Sequence, residues 1–111
     1  MDELVDLYEP DATFYDTGAN AVGLDQIRER WELFAKTYRV LDYNVDTRDE
    51  MLVAPDWSVA HMTMTVTLTT SEDNADPFRV SGRSTEIIHR GSDQCWRFVI
   101  DHASVPIDEA A

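Results

Sequence analysis

The chain has 111 residues, 43% hydrophobic and 28% charged, with Lys+Arg 9 against Asp+Glu 22 and a net charge of −13. That length carries one core and therefore one domain over residues 1–111, and the composition excludes a disordered chain. No window nears the ~20 apolar residues of a membrane span, the acidity argues against nucleic acid or anionic lipid as partner, and a single cysteine, Cys95, excludes an internal disulfide or a cysteine-rich zinc site.

The start, Met1-Asp2-Glu3-Leu4, has no basic region and no apolar run, so it does not read as a secretory signal, and a cytoplasmic protein is expected. Only Lys36 among the basic residues is lysine, and Asp outnumbers Glu 14 to 8. Such a bias suits a halophilic cytosol, where salt screens the self-repulsion; it equally suits an acidic protein that uses charge for solubility.

Asp2 to Tyr8 reads as a short helix, with Leu4 and Tyr8 four apart, and Pro10 stops it. Ala12 to Tyr15 reads as a short strand and Asp16 to Asn20 as a loop. From Leu24 to about Tyr38 the stripe Leu24, Ile27, Trp31, Phe34, Tyr38 predicts an amphipathic helix. Leu41 to Val45 alternates briefly. Trp57 to Thr70 alternates throughout, with Ala60, Met62, Met64, Val66 and Leu68 on one face and His61 with a row of threonines on the other. The polar stretch Ser71 to Pro77 is a hairpin loop. Phe78 to Arg90 and Cys95 to Val105 are two more long strands, joined by the turn Gly91 to Gln94. Helices followed by long antiparallel strands predict an α+β domain of four to five strands in a bent sheet, with the helices on one face.

Three segments carry a resemblance. Tyr8-Glu9-Pro10-Asp11-Ala12-Thr13-Phe14-Tyr15-Asp16, Gly23-Leu24-Asp25-Gln26-Ile27-Arg28, and Gly82-Arg83-Ser84-Thr85-Glu86-Ile87-Ile88 with Cys95 through Ser104 stand in family order. The chain resembles the nuclear transport factor 2-like superfamily in its SnoaL-like and ketosteroid-isomerase-like branch. Its tail is also similar to the association domain of calmodulin-dependent kinase. The resemblance implies a cystatin-like cone, a strongly bent sheet wrapped around helices, with a shortened first helix. It implies a cavity on the concave face and a flat outer face that often pairs with a second subunit.

On that register Ser84, Glu86, Val99, Asp101 and Ala103 point inward, and Arg83, Thr85, Trp96, Phe98, Ile100, His102 and Ser104 outward. Trp31, Phe34, Tyr38, Met62, Met64 and Ser84 become candidate ligand-binding residues. The resemblance assigns candidate catalytic roles to three acids. Asp16 falls where the isomerases carry a general base, Glu86 where they carry the acid of their oxyanion site, and Asp101 near the catalytic aspartate of the SnoaL cyclases. A carboxyl buried beside Met and Trp has its charged form disfavoured, so one acid can stay protonated while another is ionised. The alternatives are structural: Asp16 capping a turn, and Glu86 pairing with Arg83 or Arg97. The isomerases' tyrosine donor sits on their first helix, which is missing here; Tyr15, Tyr38 and Tyr43 are the candidate replacements.

His61, His89 and His102 lack metal-ligand spacing, so no metal is expected, nor any cofactor. The expected function is small-molecule binding in an apolar pocket that carries acids, with an unknown ligand. A cofactor-free isomerase, cyclase or hydrolase is the first alternative, and a dimerisation or assembly module without catalysis the second. A homodimer through the outer face is expected, because Trp96, Phe98, Ile100 and Ile87 would otherwise stand exposed.

Overall fold

The structure, a computed structural model, describes residues 1–16 and 19–104, apart from the side chains of Arg48 and Asp49. Thr17 and Gly18 of the expected loop, and Val105 of the expected last strand, lie outside the described residues. The elements run α1 (Asp2–Val5), β1 (Tyr8–Asp16), β2 (Ala19–Val22), α2 (Gly23–Thr37), β3 (Tyr38–Ala54), β4 (Trp57–Thr70), β5 (Phe78–Arg90) and β6 (Trp96–Ser104). The six strands form one curled, open sheet in the order β2-β1-β6-β5-β4-β3. The class is α+β, as expected. Two features differ: there are six described strands, and β1 pairs with β6 in parallel while its other neighbours run antiparallel.

The first helix is shorter than its Leu4–Tyr8 spacing predicts. It ends at Val5, and Tyr8 opens β1. The pairing with β6 wins over the local helical contact: Phe98 donates its backbone N–H to the Leu7 carbonyl at 2.7 Å, which draws the chain into the sheet. β3 is far longer than Leu41–Val45 because three bulges along its pairing with β4 break the period of two. No helix is long and apolar enough to cross a membrane.

Helix α2 follows from its stripe. Ile27 is fully buried, and Leu24 and Trp31 pack on the same core with Tyr8, Ala12, Phe14 and Ala21. Gly23 enters the helix at φ +82, a left-handed conformation that L side chains rarely adopt. A Cβ there would meet nothing closer than 4.0 Å, so backbone conformation rather than space calls for glycine.

Facing pairs define the concave side. Ala60 faces Glu86 and Met62 faces Ser84 across β4–β5. Glu86 faces Asp101 across β5–β6, and Asp101 faces Phe14 across β6–β1. A bulge between Ile87 and Ile88 skips Val99, so Ile87 faces Ile100 while Ile88 faces Phe98. The extra residue reverses the parity of the strand start. Phe98 and Trp96 therefore lie on the Glu86 side and not on the outer face that uninterrupted alternation gives them. Phe98 packs on Tyr8 with ring centroids 5.3 Å apart.

Candidate functional site

The concave side brings Tyr8, Ser84, Glu86 and Asp101 together. Tyr8 and Ser84 are each 3% exposed, Glu86 2% and Asp101 9%. The Tyr8 hydroxyl donates to Asp101 Oδ2 at 2.7 Å, and Trp31 Nε1–H donates to the Tyr8 oxygen at 3.3 Å. Each link crosses between elements: β1 holds the phenol, β6 the carboxylate and α2 the indole. Burial and the neighbouring Asp101 charge push the Tyr8 phenol far up, so it stays protonated and can only donate to the carboxylate.

Burial pushes Glu86 up from 4.5 to about 7; the Asp101 charge and a hydrogen bond toward it add to the rise. Asp101 is also raised by burial, opposed by donation from Tyr8 and then from Glu86. The signs describe one arrangement: Glu86 holds the proton and Asp101 holds the charge. Glu86 Oε2 is buried with no hydrogen-bond partner among the described residues, which a retained proton relieves. The Ser84 hydroxyl favours the ionised form of Glu86, yet it reaches no hydrogen-bond geometry, and its Oγ is also buried without a partner.

An apolar surface adjoins these groups. Trp31, Phe34, Tyr38, Met62 and Met64 are half-buried. The rings form a continuous row: Tyr8–Phe14 at 6.4 Å, Phe14–Trp31 stacked at 5.3 Å, Trp31–Phe34 at 5.8 Å and Phe34–Tyr38 at 5.4 Å. The candidate ligand-binding residues thus share one side with Glu86 and Asp101.

Asp16 stands apart from this arrangement. Arg30 grips its Oδ2 through Nη2 at 2.6 Å and Nε at 3.0 Å, an ion pair between β1 and α2. Its charge still helps to raise Asp101. Glu86 pairs with neither Arg83 nor Arg97; the latter is held by Asp93 at 2.8 Å.

The phenol that reaches Asp101 is Tyr8, and not Tyr15, Tyr38 or Tyr43. A sequence signal existed: Tyr8 heads the same segment as Ala12 and Phe14, and all three are buried. The Leu4–Tyr8 spacing concealed it by suggesting a helix.

A second, open cleft of about 530 Å³ lies by the β5–β6 turn, lined by Tyr8, Glu9, Leu24, His89, Ser92 and Arg97 among others. Glu9 pairs there with His89 at 2.9 Å and Arg97 with Asp93, and Ser84, Glu86 and Asp101 do not line it.

The model of the SnoaL-like domain family matches residues 1–102. A ketosteroid isomerase-like protein from Erwinia carotovora atroseptica superposes with a TM-score of 0.86 at 16% identity, covering 96% of this chain and 81% of that one. A nuclear transport factor 2-like superfamily protein from Salmonella enterica gives 0.73 at 21% identity, covering 93% and 75%. A cystatin-like-fold protein from Caulobacter vibrioides gives 0.73 at 22%, covering 98% and 78%. At these identities the likeness is one of fold. No curated protein matches the chain.

Proposed function

The chain belongs to the SnoaL-like domain family, and on that premise we propose that it binds a small uncharged organic molecule against the concave face and moves a proton on it with the Glu86–Asp101 pair. The observation that supports this is the buried carboxyl pair itself, anchored by Tyr8 and set beside half-buried Trp31, Met62 and Met64. A site that already holds one charge in an apolar setting favours a neutral ligand.

The residues divide the work. The Tyr8 hydroxyl stabilises the ionised form of Asp101 against the cost of its burial. Glu86, raised to about 7, keeps a proton that it can give to a ligand oxygen or, once ionised, can take from a ligand carbon beside a carbonyl. The Arg30 ion pair engages Asp16, so the role of base passes to the pair. That engagement is also what favours the second reading, binding without chemistry.

Carbon-13 NMR of the side-chain carboxyls tests the proposal. A midpoint near 7 that disappears in Glu86→Gln supports proton transfer. A Glu86 midpoint at its ordinary value of about 4.5 rejects it and leaves ligand binding alone.

A further inference from the structure

We infer that Ser84 is a ligand-contacting residue which, together with Glu86, selects ligands carrying a neutral hydroxyl group. The inference rests on the site reading above and goes beyond it, because it names the chemical group by which the site selects a ligand.

Ser84 is 3% exposed on the inner side of β5, and its Oγ has no hydrogen-bond partner among the described residues. A hydroxyl buried in this state carries an uncompensated desolvation penalty. Most serines in strands escape it by turning to a backbone carbonyl or a cross-strand partner. On the same sheet Ser58 donates to the Met51 carbonyl at 3.1 Å, and His61 and Thr85 meet at 2.9 Å. Ser84 has only the Glu86 carboxyl acting on it, and its Oγ does not meet that group in hydrogen-bond geometry. Its cross-strand neighbour Met62 offers no strong acceptor.

Two residues along β5, Glu86 points to the same side. A protonated carboxyl has one oxygen that carries the proton and one that only accepts, and Glu86 Oε2 is buried without a partner among the described residues. Ser84 supplies a hydroxyl that donates. One donor beside one acceptor matches a group that accepts once and donates once, and a neutral alcohol, phenol or enol oxygen does both. An ether or ketone can only accept. A carboxylate would bring a second charge next to Asp101. Half-buried Met62 faces Ser84, and half-buried Trp31, bonded to the Tyr8 oxygen and packed on Phe34, stands on the same side; they suit an apolar or aromatic body behind the hydroxyl.

The test uses the full chain and three probes: 2-naphthol, 2-methoxynaphthalene and naphthalene, with binding read by heteronuclear NMR at about pH 6, where Glu86 holds its proton. 2-Naphthol is expected to bind about tenfold more tightly than its methyl ether, one hydrogen bond's worth. Both oxygen-bearing probes accept from Ser84, so Ser84→Ala is expected to weaken 2-naphthol and its methyl ether alike, by about tenfold relative to naphthalene. It is also expected to raise the melting temperature of the ligand-free protein, because it removes a buried hydroxyl with no partner. Equal affinities in the wild type, or no binding of 2-naphthol at about 1 mM, overturn the inference. So does binding of 2-naphthol and its methyl ether that is unchanged in Ser84→Ala, or a lower melting temperature in that variant. Failure here with Glu86 still titrating near 7 leaves the carboxyl pair standing; an ordinary Glu86 with the hydroxyl preference intact does the reverse.

Discussion

One hydroxyl decides how the buried acids divide a proton. Without Tyr8, Asp101 would face the cost of a buried charge with only Glu86 to donate to it. Tyr8→Phe keeps the ring packing on Phe98 and removes the donor. It is expected to cost about 2 kcal/mol at pH 8 and less at pH 4, because acid protonates a carboxyl whose hold on a proton burial has strengthened and so removes the charge-assisted part of the bond. Urea midpoints at the two pH values check it; an equal loss at both would show that the hydrogen bond is not to a charge. Glu86 gives the complementary pH dependence. Its folded value, about 7, lies above its ordinary 4.5, so the folded state binds the proton more tightly. The stability from this group is therefore full below about 4.5 and lost as pH rises through about 7. The loss is about 3 kcal/mol at most, and Glu86→Gln should flatten that stretch of the profile. The family resemblance places Glu86, Asp101 and Ser84 inward, and they meet because the pairing of Arg83–Ile87 with Ser104–Ile100 runs without a bulge. Tyr8 was not legible, because a four-residue spacing next to Leu4 is the same signal whether the chain coils or enters a sheet.

Strands β4 and β5 run where their alternation predicts, over Trp57–Thr70 and Phe78–Arg90, because no bulge interrupts the pairing between them. β3 and β6 were less legible for the opposite reason. Each bulge adds a residue that the sequence does not mark, and everything on one side of it changes face. The bulge at Val99 matters most. It turns Phe98 to the concave side, where it packs beside Tyr8 and forms part of the wall behind the carboxyl pair. Deleting Val99 removes the bulge but leaves Phe98 next to Ile100 and opposite Ile88, still on the concave side. The deletion is therefore expected to cost less than Phe98→Ala, about 2 kcal/mol for a half-buried ring. It should also leave the Tyr8 ring resonances close to their place. A deletion that costs more than Phe98→Ala, with the Tyr8 resonances moved, would mean that the bulge itself, and not only the parity it sets, holds this wall.

At the scale of the molecule, exposed apolar side chains gather on β3, where Val40, Leu41, Tyr43, Val45, Met51, Leu52 and Val53 are each 48–66% exposed or, for Tyr43, 69%. With Phe98 and Trp96 on the concave side, the apolar warrant for a dimer through the outer face narrows to Ile87 and Ile100. The acids intervene on the same strand: Asp42, Asp46 and Glu50 are all exposed on β3, which places like charges along an edge that would otherwise invite pairing. A net charge of −13 on so small a body makes self-repulsion a general cost of folding. The favourable pairs that salt would weaken, such as Arg28–Asp2 and Arg90–Asp56, are exposed, and water already screens most of their attraction. Screening shortens from about 8 Å at 0.15 M to about 3 Å at 1 M, so added salt removes more repulsion than attraction. The melting temperature is therefore expected to rise between about 0.15 M and 1 M KCl. The rise should shrink in a variant carrying Asp42→Asn, Asp46→Asn and Glu50→Gln, which removes repulsion without touching the carboxyl pair. An identical salt response in that variant would assign the effect to apolar burial instead, and a melting temperature that falls with salt would mean that the ion pairs outweigh the excess charge.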